Sequence, residues 1–507
     1  MGEMSKYPSG SRSLLARSIL ALALMVGFYT LALGLAFGLM FVPYAELVYA
    51  HRLHIKLAVI CVLAGAVILW AVLPRFDRFD APGLLLTPET QPRLFAVIRE
   101  LAAATQQAMP AEVYLVSDVN AFVTQRGGIM GLGSRRVMGL GLPVMQALSE
   151  AELRAVIAHE FGHFHGGDVQ LGPFIYKTRS AIVRTVMLLG QHGSLLQKVF
   201  IWYGEMFIKV THAISRQQEL AADALAARVV GAGPLRDGLK RTHAAALAYQ
   251  MYWQEDVLPA LGSGWRPPLA AGFAHFLGAK RARKVMDASL TEELESGAVD
   301  PYDTHPPLRE RIANVAGLPA LAAASGNTER CAVELLSDLP ALEQGLVAFL
   351  AQDEAQAQQL QPIGWTDVAA RVHLPAWRAV VAELRPVLAG HTLESAASDQ
   401  TLSLEVGRRS AGEHAASAQE ETLVRLGTLR LATVVTLGLM DEGFTLDTSP
   451  GEHVSVTRNG VTICPFELTL TPEQGLTALH DACKSAGIAD LDLGNIAARA
   501  AEAAPRA

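Results

Sequence analysis

Ser149-Glu150-Ala151-Glu152-Leu153-Arg154-Ala155-Val156-Ile157-Ala158-His159-Glu160-Phe161-Gly162-His163 is the stretch that decides the fold. Ser149 and Glu152 form an S-x-x-E capping box, in which each side chain satisfies the other residue's exposed backbone N–H, so a helix begins here. Leu153, Val156 and Ile157 supply a buried face, and the spacing predicts a helix through His163. His159 and His163 stand at i and i+4 and project from one face. Two neutral imidazoles so placed can each give a nitrogen to one Zn2+ at about 2.0–2.1 Å. Glu160, beside the first histidine, then faces the activated water and can take its proton. A solvated helix face carries the same string by chance, so the reading needs a third ligand.

The best candidate is Glu219, in Ser215-Arg216-Gln217-Gln218-Glu219-Leu220-Ala221-Ala222-Asp223. Leucines and alanines around it favour a helix. Asp223 lies one turn later on the same face, where it can accept a hydrogen bond from the distal N–H of a ligating histidine. Alone, Glu219 and Asp223 are an ordinary charged face. With the two histidines they make three ligands, leaving a fourth position open, and the expected cofactor is one Zn2+ per chain.

Upstream, Thr87-Pro88-Glu89 and Pro92 open an apolar-periodic helix. Residues 112–116, 120–124 and 136–140 read as strands. The glycine-rich segment 127–133 lacks the Lys-Ser/Thr ending of a phosphate loop and reads as a hairpin turn.

Hydrophobic residues make up 51% of the 507, so membrane contact is the first expectation. Residues 19–42 are an uncharged apolar run of about 24, enough to cross a bilayer, and 57–73 a second run of about 17. The two read as a helical hairpin. Lys6, Arg12 and Arg17 precede it and Arg75 and Arg78 follow, which puts both ends in the cytoplasm. A cleaved signal peptide is the alternative, but the first run is longer than a signal core. Between 171 and 214, Arg179, Arg184, Lys198, Glu205 and Lys209 interrupt two further apolar runs. Such charges are costly at bilayer depth, so amphipathic helices packed on the catalytic core are expected there rather than two more spans. The net charge of -7, with no basic block, speaks against nucleic acid as a partner. Cys61, Cys331, Cys464 and Cys483 form no CxxC pair and read as small buried hydrophobes.

These residues resemble the HtpX-like and CAAX prenyl protease-like membrane zinc metallopeptidases. Four motifs carry the resemblance, in the family's order: Asn120-Ala121-Phe122, the HEFGH run continuing to Gly167-Asp168, the string from Ser215 to Asp223, and Thr304-His305-Pro306-Pro307-Leu308-Arg309-Glu310-Arg311-Ile312. The resemblance implies a gluzincin site on a zincin-type domain. His159, His163 and Glu219 would bind zinc, Glu160 would be the base, and Asp223 would orient a histidine. Asn120, Ala121 and Phe122 would line the cleft edge and pair with extended substrate, though Asn120 equally suits a strand start. His305 would approach the cleft to stabilise an oxyanion, or serve only a helix start. Arg216 and Arg311 would brace the site through ion pairs. His165 and Asp168 read as helix-end residues.

The expected organisation is a membrane anchor over 1–80, a peptidase domain over 81–320, a linker over 321–362 and a C-terminal α+β domain over 363–507. The fold class is α+β and mostly helical. The C-terminal region shows an Asn459-Gly460 hairpin signal and a helix start at Thr471-Pro472-Glu473, but no catalytic constellation. The expected function is a membrane-anchored zinc endopeptidase of the inner membrane, acting from the cytoplasmic side on membrane-associated protein or peptide substrates, in quality control. The alternatives are a processing peptidase for one protein or lipidated peptide, and a non-catalytic scaffold. Nothing in the sequence sets an oligomeric state.

Overall fold

The computed structural model describes residues 10–73, 80–127, 134–164, 172–190, 195–296, 306–316, 318, 329–351, 359–398, 401–470 and 475–503. The chain is a mostly helical α+β protein that divides into two compact units. One comprises Met1–Ala244 with Ser289–Leu339; the other comprises Ala245–Ala288 with Pro340–Ala507.

In the first unit, α1 (Gly10–Tyr49) and α2 (Ile55–Val72) are long and apolar enough to cross a membrane. Helix α1 buries one stripe, Ala21, Met25, Phe28, Ala32 and Ala36, at steps of three and four residues. Its other faces are equally apolar yet exposed, Leu22, Val26 and Phe37 among them, as lipid-facing surface requires. Gly65 of α2 lies so close to the Ala36 carbonyl that a Cβ there would sit 2.8 Å from its oxygen. Small residues let helices approach this closely where water supplies no hydrophobic drive.

Helices α6 (Gly172–Gly190) and α7 (Leu195–Val229) are, as expected, not among the described helices long and apolar enough to cross a membrane, but their packing departs from the sequence expectation. Among the described residues, helix α6 and the first half of α7 pack on α1 and α2. Ala181, Ile182 and Leu189 of α6 and Phe200, Tyr203 and Phe207 of α7 share one apolar cluster with the buried stripes of α1 and α2. The charges that argued against this find surface or backbone. Lys198, Glu205 and Lys209 are exposed, and Arg184 Nε donates to the Ala71 carbonyl at the end of α2, 3.2 Å away.

The peptidase-side sheet has the order β1-β2-β4-β3, with β1 Leu84–Leu86, β2 Glu112–Val116, β3 Ala121–Arg126 and β4 Arg135–Gly141. β2 and β4 run parallel; the other pairs are antiparallel, and β3 lies at an edge of the sheet among the described strands. The turn expected over 127–133 falls largely outside the described residues. Helix α3 (Pro92–Ala104) and helix α5 (Glu150–Gly162) complete the core, with α4 (Leu142–Ala147) between sheet and α5. The capping box at α5 forms in both directions: Glu152 N–H donates to Ser149 Oγ at 3.3 Å, and Ser149 N–H to the Glu152 carboxylate at 2.8 Å.

The second unit is built around the helix Glu420–Asp441, which meets the length and composition of a membrane span but is largely buried in its own core. The helix Thr401–Ala411 lies against it in backbone contact at Gly407 and Gly427, where any side chain would collide with a carbonyl. The hairpin signal is realised by strands Ser455–Arg458 and Val461–Ile463, with Asn459 at φ 52 and Gly460 at φ 82, the left-handed pair of a type I′ turn. The helix start at 471–473 lies outside the described residues.

Candidate metal centre

Gly162 makes the site's geometry possible. A Cβ at this position would stand 2.7 Å from the Ala222 Cα, so only glycine facing alanine lets α5 and α7 cross this closely. That crossing brings the histidine face of α5 onto the Glu219–Asp223 face of α7. His159 Nε2 lies 3.5 Å from one carboxylate oxygen of Glu219, and His163 Nε2 lies 3.5 Å from the other. Ligands on a tetrahedral zinc with bonds of about 2.0–2.1 Å stand about 3.3–3.4 Å apart. The donor set fits a shared ion. His159, Glu160 and His163 also bring their ligand-type atoms within 4.8 Å of one another.

Behind the candidate ligands, His159 Nδ1 meets Asp223 Oδ1 at 2.9 Å. A proton there leaves Nε2 free to face Glu219, the tautomer a ligand needs. Asp223 is fully buried. Its charge is answered by Arg311, from the helix Leu308–Ala316, in a two-pronged contact: Nε to Oδ2 at 2.9 Å and Nη2 to Oδ1 at 2.7 Å. Burial pushes the Asp223 carboxyl up, but Arg311 and His159 outweigh it and hold it below the usual range. Exposure then orients the centre. His163 keeps 28% of its side-chain surface open while His159 keeps 8%, so the open side lies at His163.

Glu160 accepts a hydrogen bond from the backbone N–H of Val123 on the edge strand. Burial pushes its pKa up to about 7; the His159 charge opposes this and Glu219 adds to it. A base near neutrality suits proton transfer in both directions.

His159 carries a testable consequence. Burial lowers its pKa, but hydrogen bonds to Asp223 and Glu219 override this and raise it to about 9. Metal binds only the neutral ring, so loading must expel a proton throughout the neutral range. Apparent zinc affinity is expected to fall about tenfold for each pH unit below about 9, as one proton competes for one site. Competition with a chromophoric chelator between pH 6 and 9, with proton release in weak buffer, checks it. Affinity that stays flat above pH 7 contradicts it.

Among the other expected site residues, Asn120 is exposed just before β3, where its carbonyl accepts from Gly141 N–H at 2.8 Å. Ala121 and Phe122 are half-buried on the edge strand, opposite Leu140 and Gly139. His305, His165 and Asp168 lie outside the described residues. Arg311 makes an ion pair; Arg216 Nε finds no hydrogen-bond partner among the described residues. Sequence reasoning missed the Val123 N–H, since a backbone donor leaves no signature in side-chain type.

A helix-borne histidine pair, an adjacent glutamate and a glutamate from a second helix define the metallopeptidase class of site. Residues 88–318 match the model of peptidase family M48. Similar proteins include a Protease HtpX homolog of Methylibium petroleiphilum, 29% identical over 155 residues, covering 28% of this chain and 52% of that protein. Another, from Thermodesulfovibrio yellowstonii, is 27% identical over 250 residues, 44% of this chain and 74% of that one. A third, from Desulfatibacillum aliphaticivorans, is 25% identical over 260 residues, 47% of this chain and 73% of that protein. The chain spans about half the length of two of the relatives it matches and about three quarters of others. No solved structure matches. Residues 88–318 are thus similar to peptidase family M48 and to HtpX homologs, in a chain with helices long and apolar enough to cross a membrane.

Proposed function

We propose that the chain is a membrane-anchored zinc endopeptidase that cleaves membrane and membrane-proximal proteins, working in membrane protein quality control from the cytoplasmic side of the inner membrane. In this reading 1–80 is the anchor and 81–320 the peptidase unit. The carrying observation is the pair of equal 3.5 Å approaches from His159 and His163 to the two oxygens of Glu219. One Zn2+ there would be held by these three residues, and when bound it supplies Lewis-acid activation of water and of the peptide carbonyl. Glu160 removes a proton from the attacking water and later gives it to the leaving amine. The Val123 N–H fixes the direction of that carboxylate. Asp223 fixes the ring of His159, and Arg311 keeps Asp223 charged and in place. The edge of β3, with Asn120, Ala121 and Phe122 at its start, offers main-chain partners to an extended substrate.

The test uses the full chain in membranes. Zinc per chain is measured and casein cleavage followed before chelation, after it, and after zinc is returned. One zinc per chain, with cleavage lost and regained alongside it, is expected; cleavage by the metal-free protein overturns the reading.

A further inference from the structure

The backbone of β3 alternates in the direction it faces. Asn120 turns its carbonyl inward to the Gly141 N–H of β4, so by the two-residue period of a strand Ala121, Val123 and Gln125 turn their backbone groups outward. The hydrogen bond from the Val123 N–H to Glu160 fits that alternation and places the proposed base beside the middle of the edge. Three residues farther along, Arg126 stands directly opposite Arg135 in the antiparallel register. Like charges directly opposite one another destabilise a strand pair. Arg135 is held at 2.6 Å by one carboxylate oxygen of Glu112, whose other oxygen accepts from Tyr114 Oη at 2.7 Å. Arg136 is taken up by the Ala108 carbonyl and the Phe164 ring. Arg126 is exposed and makes no ion pair among the described residues, and the segment 128–133 that follows carries no charged side chain. Strands β2, β3 and β4 thus carry three arginines against one carboxylate, and all three arginines stand at the end where β3 finishes and β4 begins.

We infer that Arg126 is a specificity residue: it selects substrates that carry an Asp or Glu at the third or fourth residue before the cleaved bond. This rests on the peptidase reading above. An extended substrate adds to β3 most readily as an antiparallel strand, the commoner pairing. Its N-terminal end then lies toward Arg126, since β3 runs from Ala121 to Arg126. The bond attacked lies beside Glu160, on one side or the other of the substrate residue opposite Val123. The residue opposite Arg126 comes three positions earlier, which makes it the third or the fourth before the cut. Residues directly opposite share a face, with Cβ atoms about 4.5–5.5 Å apart. A carboxylate there meets the Arg126 guanidinium and relieves its repulsion with Arg135; a lysine or arginine there meets two like charges. Arg126 and Arg135 are both exposed, so charge rather than a closed pocket sets the preference, and about two- to fivefold in relative cleavage rate is expected.

The experiment digests a mixed library of unstructured peptides with the zinc-loaded full chain in detergent at low ionic strength, and maps the cuts by mass spectrometry. Expected is an enrichment of Asp and Glu by about two- to fivefold at the third or fourth residue before the cut, weakening as salt is raised. Arg126→Glu should exchange it for an enrichment of Lys and Arg at the same place while zinc per chain is unchanged, and Arg126→Gln should abolish it. A profile flat at both positions overturns the assignment. So does an acidic enrichment that Arg126→Glu leaves intact, or one that falls after the cut instead of before it. Casein is the separating control. If the zinc-loaded protein cleaves casein while the library shows no acidic preference, only the role of Arg126 fails; if it cleaves neither, the peptidase reading fails.

Discussion

Glu160→Gln is expected to cut kcat by about 10²–10⁴-fold while leaving one zinc per chain. Glutamine preserves the shape of the side chain and can still accept from the Val123 N–H, so α5 and its two histidines keep their places. What it loses is basicity. With burial pushing the Glu160 carboxyl up to about 7, the group is poised to take and return a proton; an amide can do neither. The measurement pairs casein turnover with metal content on the same preparation. Proteolysis equal to that of the unaltered chain would remove Glu160 from the chemistry. Zinc retained with no turnover in either chain would favour a scaffold.

Glu219→Ala should act one step earlier, on the metal itself. Outer hydrogen-bond partners of metal ligands typically cost about 10–100-fold in affinity when removed, and a ligand must cost more. The two histidines would remain, but without the carboxylate that faces both their Nε2 atoms. A fall in zinc affinity beyond 100-fold is therefore expected, with cleavage lost in proportion. Metal analysis after dialysis against a graded chelator series reads it directly. Undiminished binding would mean the ion sits elsewhere.

The local parts of this site were legible in the sequence because helical spacing alone determines which side chains share a face. The capping box, the histidine pair and the Glu219–Asp223 step all lie within a turn or two. Arg311 was legible only as a brace, since its two-pronged hold on Asp223 joins residues 88 positions apart. Packing that depends on where a charge ends up was misread. Arg184 looks prohibitive in a list of residues, yet it reaches a carbonyl at the end of α2, and so α6 and α7 can lie along the apolar hairpin. The grouping of Ala245–Ala288 with the C-terminal unit has no local cue either, as it depends on contacts made far along the chain.

The contact between Gly162 and Ala222 bears on how such sites decay. Neither residue donates an electron pair, yet between them they set the separation of the two helices that carry the proposed ligands. One methyl group at Gly162 would wedge the helices apart, and interiors this dense do not absorb such a change without shifting. A descendant of this protein could thus keep all three proposed ligands and the proposed base and still go silent. An inventory of donors would count it as an active enzyme; the volume between the helices would not.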